Sequence, residues 1–171
     1  AQTYAKAHGF NLQDNASEAG QMVYQYEYDK SLKRYSITID LDKVGVDENY
    51  NQVADKEERI ARVVAILEAV QNLSLVVRGN MDNAEPVFIV GGIGKRKTHY
   101  FENVVQMDHL SLKLGEDLKS KLKEGYRAGL LEGYNFDNED EIKAELNTVG
   151  IGEFFADLKQ EVRAYYESLE D

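Results

Sequence analysis

The sequence predicts an α+β domain, and three observations carry that prediction. Residues 21–29 and 34–42 alternate in side-chain character with the period of two that a strand requires. Residues 55–72 place Ile60, Val63, Val64, Leu67 and Val70 at the i, i+3, i+4, i+7 spacing of one helix face. Residues 87–90, VFIV, are apolar at every position, as in a strand covered on both faces and central in its sheet.

In chain order, residues 1–20 lack periodicity and end in Gly20, so they read as loop or short helix. Met22, Tyr24, Tyr26 and Tyr28 then share one face of a first strand, and Tyr35, Ile37, Ile39 and Leu41 share one face of a second. The polar break between them predicts a hairpin. Exposed tyrosines on such a sheet can stack on bases, although ordinary packing on a half-buried sheet uses the same residues. A polar loop follows over 42–54. Asp55 is placed to cap the next helix, with Glu58 at its third position. Arg59 and Arg62 flank the apolar stripe, within reach of a phosphate or of Glu57 and Glu58 on the same helix. Residues 75–85 read as a connection rich in Asn, Asp and Gly, and Pro86 opens the apolar strand without costing an interior ladder bond.

Beyond residue 101 the pattern is mainly helical. Residues 102–112 read as strand or irregular chain. Leu114, Leu118 and Leu122 predict a helix over 113–126, a second short helix covers 139–147 behind a cap at Asp137 or Asn138, and a final amphipathic helix covers 153–169. Gly125, Gly129 and Gly133 read as helix ends, and Gly150 and Gly152 as breaks. The expected organisation is a single domain or fragment over 1–171, with a sheet-and-helix core at 21–112 and a helical C-terminal region at 113–171.

At 171 residues and 43 % hydrophobic side chains, one domain with a sizeable core is expected. The formal net charge is −11, which repels phosphates on average. The charge is unevenly spread, however. Residues 95–99, KRKTH, form a dense basic cluster, while residues 137–171 hold much of the acidic excess. The absence of cysteine excludes disulfides, thiolate metal sites and cysteine nucleophiles, and is compatible with the cytoplasm. No apolar run approaches the roughly 20 residues of a membrane span, and no secretory signal is visible. The chain opens at Ala1 in a polar stretch, which reads as the middle of a longer protein.

The best functional signal is the connection after the apolar strand. Gly91, Gly92 and Gly94 let backbone N–H groups approach an anion closely, Lys95, Arg96, Lys97 and His99 supply positive charge, and Tyr100 and Phe101 supply stacking faces. A glycine-rich turn with solvated charges has the same composition. Neither a Walker lysine–serine pattern nor a dinucleotide fingerprint is present. His8, His99 and His109 lack metal-ligand spacing, no serine sits in a nucleophile elbow, and no carboxylate pair stands out, so no catalytic residue, metal or cofactor is expected.

Three stretches resemble one family. SITIDLDKVGV at 36–46, the helix carrying Arg59, Arg62 and AILEAVQNL, and VVRGNMDNAEPVFIVGG are similar to segments of the DevR-type backbone subunit of type I CRISPR Cascade complexes, subtype I-B in particular. The similarity covers roughly residues 21–101, and the family's first strand is not recognisable. The resemblance implies a modified RNA-recognition-motif core, a ferredoxin-like antiparallel sheet with helices, here incomplete at its N-terminus. It implies a non-catalytic subunit that binds crRNA, repeats along it, and meets target DNA through the guide. Other copies of itself and other Cascade subunits would be its partners. By motif position, Arg78, Gly79 and Asn80 and the loop Gly91–Lys97 would contact phosphates. Two other readings stand beside this one: an acidic protein-interaction or scaffold domain without nucleic acid, and an enzyme holding a phosphorylated ligand on the glycine loop.

Overall fold

A computed structural model describes residues 31–77 and 80–169. The first predicted strand, 21–29, lies outside the described residues. The short antiparallel pair β1 (Val46–Asp47) and β2 (Gln52–Val53) precedes α1 (Lys56–Gln71). The hairpin β3 (Ser74–Val77) and β4 (Asn80–Asn83), then β5 (Phe88–Gly91), α2 (Tyr100–Val104), and the hairpin β6 (Met107–Asp108) and β7 (Ser111–Leu112) follow. The chain continues with α3 (Glu116–Lys123), β8 (Arg127–Leu130), α4 (Glu139–Leu146), β9 (Val149–Gly150) and α5 (Ile151–Glu167). The mixed α+β class is therefore as the sequence predicts. Among the described residues no helix is long and apolar enough to cross a membrane.

Helix α1 forms where its local chemistry places it. The Asp55 carboxylate accepts from the Glu58 backbone N–H at 2.7 Å, and two further acids stand in the first turn, where the helix dipole favours them. Glu58 does not complete a reciprocal capping box, because its carboxylate is paired with Arg62 one turn on. Ile60, Val63 and Leu67 are buried against Phe154, Phe155, Val162 and Tyr166 of α5. Burial of each such side chain is worth about 1.5–3 kcal/mol.

Both helices lie over one face of the sheet β5–β8–β9. β5 runs antiparallel to β8, with Ile89 opposite Gly129, and β8 runs parallel to β9. The pleat sends Ile89 to the α1–α5 side, while Phe88 and Val90 join Ala128, Leu130, Leu118, Phe136 and Ile142 in a second cluster on the other side. Burial of β5 from both faces is thus as expected, but its central position is not. Among the described residues β8 is central and β5 pairs with β8 alone. The sequence of β8, Arg-Ala-Gly-Leu, is poor in strand-forming types, and Gly129 reads as a helix end. The residue is a glycine because α5 passes close by: a Cβ there would stand 2.9 Å from Ile89 Cγ2 and 3.0 Å from Phe154 Cβ.

Other expectations are corrected by the same logic of partners and packing. Residues 34–42 are not a strand, because alternation alone makes no ladder and they pair with no strand among the described residues. Within the connection expected over 75–85, Ser74↔Asn83 through Val77↔Asn80 form an antiparallel hairpin. The polar stretch 42–54 contains β1 and β2, and 102–112 contains the end of α2 and the β6–β7 hairpin. Gly152 does not break the last helix but lies within its first turn. The C-terminal region is not purely helical, since it supplies two of the three strands of the largest sheet. Residues 34–171 make one compact unit.

Candidate nucleic-acid interface

The connection from β5 to α2, residues 92–99, is anchored at both ends. Ile93 packs into the α1–α5 cluster, and Phe101 packs edge-on against Tyr126 at a ring separation of 5.1 Å. Tyr126 also lies along the glycines. A Cβ on Gly92 would stand 3.2 Å from Tyr126 Cδ1, and one on Gly94 would overlap the Tyr126 hydroxyl. These glycines therefore admit an aromatic ring from the end of α3, a structural reason for their presence that the sequence does not reveal. Between the anchors, Lys95, Arg96, Lys97 and Thr98 are exposed.

Residues 34–40 run alongside this loop in the opposite direction. Arg34 Nη1 donates to the Val105 carbonyl at 2.6 Å, Thr38 Oγ1 and His99 Nδ1 are 3.0 Å apart, and Lys97 Nζ donates to Asp40 at 2.6 Å. All three ties use even-numbered residues of 34–40, as an extended chain presenting one edge would. Ile39 and Leu41 turn instead into the α1–α5 cluster. Tyr35 and Ile37, on the same side of the alternation, are exposed.

The basic residues are not equivalent. Lys97 bonds to Asp40 and stands 3.7 Å from Asp42, and the hydrogen bond to Asp40 raises its pKa above the ordinary lysine value. Lys95 and Arg96 have no ion pair or hydrogen bond among the described residues, so both charges are open to an anion. Arg34 uses one nitrogen on Val105. Nothing local in the sequence shows that residues 34 and 105 meet. Asp42 is held below the usual carboxylate range, first by the Tyr165 hydroxyl, which donates to it at 2.6 Å, and further by Lys97.

Arg59, expected to be solvated or paired with a glutamate, does neither. Its Nε donates to the Val44 carbonyl at 2.8 Å and its Nη2 to those of Leu41 and Asp42 at 3.1 and 3.2 Å. Its guanidinium carbon lies 4.7 Å from the centre of the Tyr166 ring. It holds the chain after residue 40 against α1 and α5 and is not available to a phosphate. Arg62 is paired with Glu58 as expected. Of the other candidate residues, Arg78 and Gly79 lie outside the described residues, and Asn80 opens β4 in a separate hairpin. Gly91 ends β5, and Gly92, Gly94, Lys95, Arg96, Lys97 and His99 follow on the one connection. Among the described residues no group of His, Cys, Asp and Glu is arranged to hold a metal ion.

Residues 1–109 match the family described as CRISPR-associated negative auto-regulator DevR/Csa2. The chain belongs to the DevR/Csa2 family of CRISPR-associated proteins. Comparisons with curated proteins and with solved structures gave no match. The DevR/Csa2 match contains the 92–99 loop, the 34–40 segment that flanks it and helix α1. It ends inside the β6–β7 hairpin, before β8 and α5.

Proposed function

We propose that this DevR/Csa2 protein is a non-catalytic, crRNA-binding backbone subunit of a type I CRISPR antiviral surveillance complex. Repeated copies would assemble along the guide beside other Cascade subunits and meet target DNA through that guide. The observation that carries this reading is the unpaired Lys95–Arg96 charge on the anchored 92–99 loop, inside the family-matched part of the chain. Arg34, on the flanking segment, extends the positive line toward Val105. Two helices stacked on one sheet face support the modified RNA-recognition-motif core that the reading includes. The site positions a phosphate backbone and reads no bases, so affinity is expected to be independent of sequence and strongly dependent on salt.

The test is the affinity of the full chain for single-stranded RNA of fixed length, measured across salt concentration. Lys95→Glu with Arg96→Glu is expected to flatten the slope of log K against log salt by about 1.4, at roughly 0.7 per lost phosphate contact. Lys97→Met is expected to change it by less than half as much, because Asp40 and Asp42 already oppose that charge. An unchanged slope in the double variant would remove the loop from the RNA site.

A further inference from the structure

The most exposed large apolar side chain among the described residues is Tyr134, at 91 %. It sits in the connection between β8 and α4, outside the family-matched segment. Its backbone is left-handed, with φ 58°, a region a tyrosine seldom adopts. The conformation is held from beneath by Glu139, which is only 6 % exposed. The Glu139 carboxylate accepts the Tyr134 backbone N–H at 2.7 Å and the Gly133 N–H at 3.3 Å. Asn135 adds a bond from its side-chain amide to the Leu131 carbonyl. A buried carboxylate thus fixes the loop with the aromatic ring displayed to solvent, while the neighbouring Phe136 goes into the core.

Two more apolar side chains are exposed nearby in the fold. Leu131, 46 % exposed, begins the same loop, and Leu110, 50 % exposed, stands on the β6–β7 turn. The Asp137 N–H donates to the Leu110 carbonyl, and Asn138 bonds to Leu112 through both its amide oxygen and its nitrogen, so turn and loop are stitched together. The rim is acidic. Glu132, Asp137, Asp140 and Glu141 are exposed around the loop, and the one cation among them, Lys143, lies 3.4 Å from Glu132 and 3.5 Å from Asp140, so the acids remain in excess.

We infer that this surface is a docking site for a protein partner that offers an apolar pocket ringed by lysine or arginine. A rigid aromatic side chain that loses little freedom on binding is the kind of anchor that dominates protein interfaces. The negative rim repels a phosphate backbone and attracts a basic protein surface, which sets the sign of the partner. The assignment is independent of the RNA-binding loop, whose sign is opposite.

The experiment places the photoreactive residue benzoylphenylalanine at position 134 of the full chain, expressed in its own host, and maps the cross-linked peptide. The expected product is a peptide of a different protein rich in lysine or arginine beside apolar residues. With that protein purified, Tyr134→Gly is expected to weaken binding by about 30-fold, as for an interface anchor. The same change is expected to raise Tm by about 2–4 °C, because glycine takes the left-handed backbone freely. Asp137→Lys is expected to slow association and reduce its salt dependence. Cross-links to nucleic acid, cross-links to another copy of this chain, or no cross-link to protein would each overturn the inference. So would a Tyr134→Gly variant that keeps full affinity.

Discussion

Gly94 separates two accounts of the same loop. If the glycine is there to admit Tyr126, Gly94→Ala is expected to destabilise the protein by about 1–3 kcal/mol through overpacking, read from urea unfolding. Much of that cost should vanish in a Tyr126→Phe background, because the clashing atom is the hydroxyl and neighbouring sites couple. Loss of RNA affinity without loss of stability would favour the phosphate-cradle account instead. A second residue-scale prediction concerns Asp42. Its pKa is depressed by the Tyr165 hydroxyl, so its stabilising contribution is present above the unfolded carboxylate value of about 3.9 and is lost as pH falls through the folded value. Tyr165→Phe is expected to move the Asp42 titration, followed by NMR, back toward the ordinary range. The loop itself was legible at this scale: strand, glycines and basic run stand together in the sequence. Which lysine is free was not, since the carboxylates that engage Lys97 lie more than fifty residues earlier.

Among the elements, those stabilised locally were the readable ones. α1 announces itself by its cap and stripe, and α5 by its aromatic face. β8 is hard to read from sequence because its glycine reflects a close approach of α5, a tertiary fact. The stretch 34–42 has the alternation of a strand without a ladder among the described residues, because alternation records which side chains meet the core and says nothing of backbone pairing. Ile39 and Leu41 do reach the core, but the segment is held by side chains. One of those side chains is Arg59. Arg59→Lys retains the charge but not the planar fork that serves three carbonyls, and is expected to lower stability by about 1–3 kcal/mol. The check is the denaturation midpoint, compared with Arg62→Lys on the same helix, which should fall within ±0.5 kcal/mol as an exposed-pair change.

For the whole molecule, the family match and the described core do not coincide. Residues 1–109 contain α1 and β5 but neither β8, which pairs with β5, nor α5, which packs on α1. A fragment ending at residue 109 is therefore expected to show no cooperative thermal transition, by circular dichroism, where the full chain shows one. A sharp transition in the fragment would mean that the C-terminal third is an addition to a self-sufficient core. The family was readable from short motifs in the first hundred residues. The architecture was not, because its central strand comes from the last third, where the helix-like spacing of three glycines hid it.

That distribution has a consequence for how the protein is made. α1 and β5 leave the ribosome well before their partners: the Tyr166 hydroxyl that closes on the Leu41 carbonyl is 125 residues downstream. At elongation rates of roughly 5–20 residues per second, the segment 110–171 takes about 3–12 s to synthesise. For that interval Ile60, Val63 and Leu67 lack Phe154, Phe155, Val162 and Tyr166, and β5 lacks the ladder with β8. The nascent chain is then a natural client for holding chaperones, and its yield should depend on how quickly the final third is translated.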